Sequence, residues 1–279
     1  MTLAVRTRAI GRDWGVLAAC TVLACLVILA IVGPFFAPSS SGVSLGLSLD
    51  PPSLGHLMGT DQLGRDVFGR FCSGARISLG LAAIVVAAGS VLGGLIAVVA
   101  GGFGGWVDSV LMRVMDSLMA FPPLLLAMAI SIGLGAGLTA AAVGITITAV
   151  PWYARLLRAD VVRVKGLLFV EAASSLGATR MNALRRHVIP HLTSTYLMQG
   201  AAIFSYTILT LAALSYIGLG AQDPTPEWGR MITDGQQYIL TGQWWPSVFP
   251  GLGLVACTVA LGVLADRLRD RLDPRGERK

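Results

Sequence analysis

The feature that most constrains this chain is a series of apolar segments, each close to the length a helix needs to cross a bilayer. Six can be read: 16–36, 77–100, 111–134, 138–157, 195–219 and 247–265. At about 1.5 Å of rise per residue, about 20 residues cover the hydrocarbon layer. Hydrocarbon offers no partner to an unpaired backbone N–H or C=O, so only helices or a closed barrel can span it. Barrel strands would read as short alternating segments, and none appear. The fold class expected is therefore all-α, a polytopic membrane protein with six transmembrane helices. Charged residues are only 13% of the chain, against about 25% in a soluble domain. The first segment follows Arg6, Arg8 and Arg12 but exceeds the apolar length of a signal peptide, so it is expected to remain as an anchor.

Six spans place both termini on one side. The connections on that side carry 17 of the 21 Lys and Arg residues, and the other side carries Arg65, Arg70, Arg76 and Arg230. The excess of positive charge marks the cytoplasmic face. The expected organisation is a cytoplasmic N-terminus (1–15), an anchor helix (16–36), an extracytoplasmic segment (37–76), a five-helix core (77–266) and a cytoplasmic tail (267–279). The basic residues flank apolar spans and form no soluble face, which argues for a lipid bilayer and against nucleic acid. Trp228, Trp244 and Trp245 suit an aromatic belt at the outer interface.

Cys20, Cys25 and Cys257 fall in apolar segments, Cys72 in a polar connection, and no pair has the spacing of metal ligands. His187 and His191 are four apart, but Pro190 stands between them and no third ligand is near, so no metal is expected. Gly89 with Gly93, and Gly133 with Gly137, have the spacing that lets helices approach closely. Pro122-Pro123 is expected to bend or restart the third span, and Arg113 and Asp116, one turn apart, to form a local ion pair.

The segment 158–194 is the long polar interruption of the second half, cytoplasmic by the charge argument. Val170, Gly177, Met181 and Leu184 recur near the helical period and give a thin apolar face. Gly177 interrupts the helix, and Pro190 is expected to end it before the fifth span. A polar loop this long with helical periodicity reads as a docking element. Its apolar face is too thin for a helix lying on lipid.

Glu171-Ala172-Ala173, three residues, Gly177, then Val188-Ile189-Pro190 resembles the EAA loop in the membrane subunits of bacterial ABC importers. Four further stretches resemble the peptide and nickel branch of that family: "GTDQLGRDVFGRFCSGARISL" (59–79), "MRVMDSLMAFPPLLLAM" (112–128), "LSYIGLGAQDPTPEWGRMI" (214–232) and "LADRLRDRLDPR" (264–275). The likeness runs over nearly the whole chain and fits the "C"-type permease of dipeptide and oligopeptide importers. His187 and Ile189 stand where the usual pattern has Ile and Leu.

The resemblance implies a transport subunit of the bacterial cytoplasmic membrane that forms one pathway with a second, homologous permease. It implies two cytoplasmic ATP-binding subunits, or one fused one, and an extracytoplasmic substrate-binding protein. ATP and Mg would be bound by the ATPase subunits, with no cofactor on this chain, which lacks a GxxxxGK[ST] phosphate loop. Coupling to the ATPases falls on Glu171, Ala172, Ala173, Ser174, Gly177, Ala178 and Met181. Asp61, Arg65 and Asp66 are read either as a salt-bridged turn or, with Trp228, as an outer gate or binding-protein contact. Thr207, Thr210, Ser215 and Tyr216 are candidates for lining the pathway, or for joining helices by hydrogen bonds. Nickel chelates, glutathione or antimicrobial peptides are alternative cargo on the same architecture. A stand-alone secondary transporter would instead show internal repeats or buried midplane charges, and no repeat is found.

Overall fold

The computed structural model describes residues 3–36 and 48–272, with side chains from Trp14 onward. Part of the expected extracytoplasmic segment (37–47) and the end of the tail (273–279) lie outside the described residues. Ten α-helices follow in order: α1 Leu3–Phe36, α2 Val67–Phe103, α3 Gly105–Met119, α4 Pro123–Leu134, α5 Leu138–Lys165, α6 Leu168–Ser175, α7 Arg180–Ala183, α8 Thr193–Tyr216, α9 Trp228–Gln236 and α10 Trp245–Leu272. Helices α1, α2, α5, α8 and α10 are each long and apolar enough to cross a membrane. Helices α3 and α4 qualify only together, and they meet at 90°.

That break has a local cause. Proline disfavours helical backbone in the residue before it, and Pro122, which precedes Pro123, is extended at φ −56°, ψ 125°. Helix α3 therefore closes at Met119, and Pro123 opens α4 at a position where a missing N–H costs nothing. The expected restart at Pro122-Pro123 is present, and α3 and α4 are long and apolar enough to cross a membrane only as a bent pair.

Helix α2 begins ten residues before the expected second span. The Asp66 side chain caps it, accepting from Gly69 N–H at 2.7 Å, so Arg70 and Arg76 lie in helix rather than loop. Its 37 residues reach about 55 Å, well beyond the hydrocarbon. It packs along α5 through small residues at four-residue spacing. A Cβ on Gly93 would lie 2.5 Å from Tyr153 Cβ and 2.7 Å from the Val150 carbonyl, and one on Gly101 would lie 2.8 Å from Val161 Cγ1. Ala97 between them is fully buried. The expected close approach at Gly89 and Gly93 is thus part of a longer stripe. Gly133 meets nothing within 4 Å; the α4–α5 approach is made instead by Gly144 against the Ala127 carbonyl.

Two apolar clusters anchor the bundle. One joins α1, α2, α8, α9 and α10 around Phe71, Trp228, Trp245 and Ile208. The other joins α2, α5 and the chain before α8 around Tyr153, Leu157, Val161, Leu184 and Val188. Outward faces carry exposed apolar side chains, among them Ile84, Leu95, Ile132 and Val259, as expected of surfaces that meet lipid or other apolar helices.

Two expectations are corrected. Trp228 and Trp245 are no interfacial belt: both are buried, Trp228 stacks on Phe71 at 5.4 Å, and Trp245 Nε1 donates to the Thr60 carbonyl. Trp244 stays partly exposed. Asp116 does not pair with Arg113 on its own helix but with Arg155 of α5 at 3.1 Å, because the side of α3 that bears it faces α5.

Candidate functional site

The segment between α5 and α8 is built from short capped pieces. Helix α6 ends at a Schellman turn: Gly177 takes φ +90°, and Ala178 N–H reaches the Ala173 carbonyl at 3.1 Å. Nothing lies within 4 Å of a Cβ on Gly177. Its role is thus the left-handed turn, not close contact within the chain. Thr179 then caps α7, its hydroxyl accepting from Asn182 N–H. Pro190 does not end the helix as expected. Helical backbone continues through a π turn, Leu184–Val188, and a 3₁₀ turn, Ile189–Leu192, directly into α8. The proline stands at the start of that 3₁₀ piece, directly after the π turn.

Burial divides the segment into two faces. Val170, Ala183, Leu184, Val188 and Leu192 are buried against the bundle. Leu168 and Leu176 are 83% and 88% exposed, and Met181, on the same apolar periodicity as the buried Val170 and Leu184, is 59% exposed. The Schellman turn redirects the chain, so a single helical phase does not run from Val170 to Leu184. Ala172 and Gly177 are exposed, and Ala173 and Ala178 are intermediate. The side chains of Glu171 and Ser174 lie outside the described part of the structure.

Polar contacts hold the segment to the bundle. Arg180 Nε donates to the Gly102 carbonyl at 2.8 Å and Nη2 to the Phe103 carbonyl at 2.6 Å, at the end of α2. Lys165 Nζ donates to the same Gly102 carbonyl at 2.9 Å. Arg158 of α5 makes a bidentate pair with Asp108 of α3 at 2.8 and 2.5 Å. Phe169 lies against the rings of His187 and His191. A cavity of about 600 Å³ opens beside these contacts, lined by Lys165, Val170, Ala178, Arg180, Leu184 and Val188 among others.

At another site, before α2, Asp61, Arg65 and Asp66 form the salt-bridged turn. Asp61 accepts from Arg65 Nε at 2.6 Å and from the Leu63 and Arg65 N–H groups, and Arg70 Nε lies 3.4 Å away. Arg65 and Arg70 are 1% and 2% exposed. Asp66 also contacts His56 Nδ1 at 3.1 Å. Trp228 is fully buried, its Nε1 donating to the Phe71 carbonyl. Glu227, also fully buried, caps α9 and accepts from the Ser78 hydroxyl at 3.0 Å. Arg230 pairs with Asp223 and Asp234. Burial pushes the Asp234 carboxyl above its usual range, against the opposing pull of Arg230.

Thr207, Thr210 and Ser215 are buried within the chain. Thr210 bonds back to the Tyr206 carbonyl, and the Ser215 hydroxyl accepts from Ala221 N–H. Tyr216 is partly exposed and bonds Gln236. Sequence reasoning missed Arg70, Glu227 and the exposed Leu168 and Leu176. None of these carried a signal beyond residue type, and Glu is not among the usual N-cap residues.

A family profile described as "Binding-protein-dependent transport system inner membrane component" matches residues 89–278. The chain belongs to that family. Over 255 residues it is 34% identical to the "Probable D,D-dipeptide transport system permease protein DdpC" of Escherichia coli strain K12, covering 91% of this chain and 85% of that one. It is 35% identical to the "Dipeptide transport system permease protein DppC" of Alkalihalophilus pseudofirmus, covering 91% and 84%. It is 38% identical over 224 residues to the "Glutathione transport system permease protein GsiD" of Pectobacterium atrosepticum, covering 80% and 74%. Its fold is shared with a chain of the MetNI methionine ABC transporter in inward-facing form, at a TM-score of 0.56 and 19% identity, covering 70% of this chain and 93% of that one. This permease is a multi-pass protein of the bacterial inner membrane, with five helices, or six if the bent pair α3–α4 counts as one, long and apolar enough to cross it.

Proposed function

We propose that this permease forms, with a second homologous permease, the path by which short peptides enter the cell, and that separate ATPase subunits drive it through α6 and α7. The observation that carries the reading is the coupling segment itself. It is a capped, exposed two-helix element whose apolar Leu168, Leu176 and Met181 face away from the bundle. Exposed leucines on a short polar segment suit a protein groove. Ala172, Gly177 and the turn at Ala178 let a partner approach closely. Glu171 lies on the same short helix, where its carboxylate would find donors in that groove. ATP and Mg would reside on the ATPases, and a binding protein would deliver cargo at the face of the Asp61–Arg65 turn. The charge asymmetry supports a cytoplasmic coupling segment and cytoplasmic termini. The dipeptide permeases among its relatives support peptide cargo. Glutathione, itself a short peptide, is the second reading, favoured by the glutathione permease relative.

The test is reconstitution of the permease with its partner permease, ATPases and binding protein in vesicles. Dipeptide-loaded binding protein is expected to stimulate ATP hydrolysis and peptide uptake. Disrupting both Glu171 and Gly177 is expected to abolish stimulation while the chain still inserts. Full activity in that double variant would refute the coupling role.

A further inference from the structure

The last carbonyls of a helix have no intrahelical partner and carry partial negative charge. At the end of α2, Arg180 takes two successive ones, those of Gly102 and Phe103. Its guanidinium also lies 5.3 Å from the centre of the Phe103 ring. One turn further on, Leu184 packs on the same spot: a Cβ on Gly102 would lie 2.7 Å from Leu184 Cδ1. Directly after these carbonyls the chain passes through Gly104 and Gly105, at φ +64° and +57°, with open space around both, into α3. Helix α3 itself is held to α5, by Arg158 to Asp108 and Arg155 to Asp116. The end of α2 is thus held by the coupling segment as well as by α5, through Gly101 and Lys165, while α3 is held by α5, and two glycines join α2 to α3.

We propose that Arg180 is the positioning residue that makes the end of α2 follow the coupling segment, with Gly104–Gly105 as the hinge that absorbs its rotation against α3. This rests on the ATPase-driven reading above. An apolar contact such as Leu184 on Gly102 permits sliding. A planar fork on two consecutive carbonyls fixes direction as well as position. Lys165, a single ammonium on a flexible stem, bonds Gly102 without fixing an angle. Hinges of this kind sit at element ends, where a few residues take up the backbone change.

The experiment uses the complete importer in vesicles, with spin labels on exposed cysteines replacing Asn182 in the coupling segment, Val99 in α2 and Trp106 in α3. Between nucleotide-free and ATP-bound states, the 182–99 distance is expected to hold and the 99–106 distance to change. In Arg180→Met the 182–99 distance is expected to vary and the 99–106 change to vanish. ATP hydrolysis persists in that variant, but peptide moved per ATP falls by about tenfold, within the range a single residue contributes to coupling. Arg180→Lys restores part of it. Gly105→Ala, which leaves the Arg180 bonds in place, is expected to lower transport per ATP without loosening the 182–99 distance. Unchanged distances and transport per ATP in Arg180→Met would overturn the assignment while leaving the coupling reading intact. A wild-type importer with no ATP-dependent transport would overturn both.

Discussion

Asp61 offers its carboxylate to two arginines that are almost wholly buried, and the charge balance of that turn depends on it. Removing one partner of a buried ion pair leaves an uncompensated charge and costs about 3–5 kcal/mol. Asp61→Asn is therefore expected to lower the thermal midpoint of the detergent-purified protein sharply, whereas Asp223→Asn, whose carboxylate is exposed, changes it little. Asp234 gives a pH signature of the opposite kind. Burial raises its pKa, so the folded state holds the proton more tightly than the unfolded chain. Its contribution to stability is fully present below the ordinary carboxylate pKa and is lost as pH rises through the raised value. Asp234→Asn is expected to remove that loss. Melting curves across a pH series should show the variant gaining on the wild type as pH rises, and a pH-independent difference would refute the assignment.

Among the elements, α2 and α5 are joined by a stripe with no room for side chains. Gly93→Leu places a branched side chain where even a Cβ would meet the Tyr153 Cβ and the Val150 carbonyl. Overpacking of this kind costs about 1–3 kcal/mol, and loss of monodispersity on size-exclusion chromatography is the expected result. Gly133→Leu, with open space at the site, serves as the tolerated control. Gly177→Val forces a branched residue into left-handed backbone, at a cost of about 1–2 kcal/mol. Because the turn is exposed, the effect is expected in binding of the ATPases, measured by co-purification, more than in melting. The element types and the break at Pro122-Pro123 were legible because chain-local sterics set them. The start of α2 at Val67 and the passage through Pro190 were less so: one depends on a cap from Asp66, the other on a π turn between packed neighbours.

For the whole molecule, the charge count predicts an orientation that labelling can check. In a cysteine-free background, a cysteine in place of the exposed Asn182 is expected to react in intact cells with a membrane-permeant maleimide and not with an impermeant one. A cysteine in place of the exposed Leu57 is expected to react with both once the outer membrane, where there is one, is opened. Reversal of the two results would invert the topology and put the coupling segment out of reach of ATP. The membrane character, the series of apolar segments and the long helical interruption between α5 and α8 follow from composition and spacing alone. Bilayer thickness and backbone hydrogen bonding act on each segment separately. Which side chains became interior did not follow. Trp228 and Trp245 look the same in sequence as belt tryptophans, and Thr207 looks the same as a pathway hydroxyl, until the neighbours that bury them are in place. Met181 and Leu184 likewise differ only in which way the turn at Gly177 points them. The contact of Arg180 with the end of α2 joins positions nearly 80 residues apart, and no local periodicity carries such information. It arises because packing α2 along α5 brings two unpaired carbonyls to the place where the coupling segment turns back.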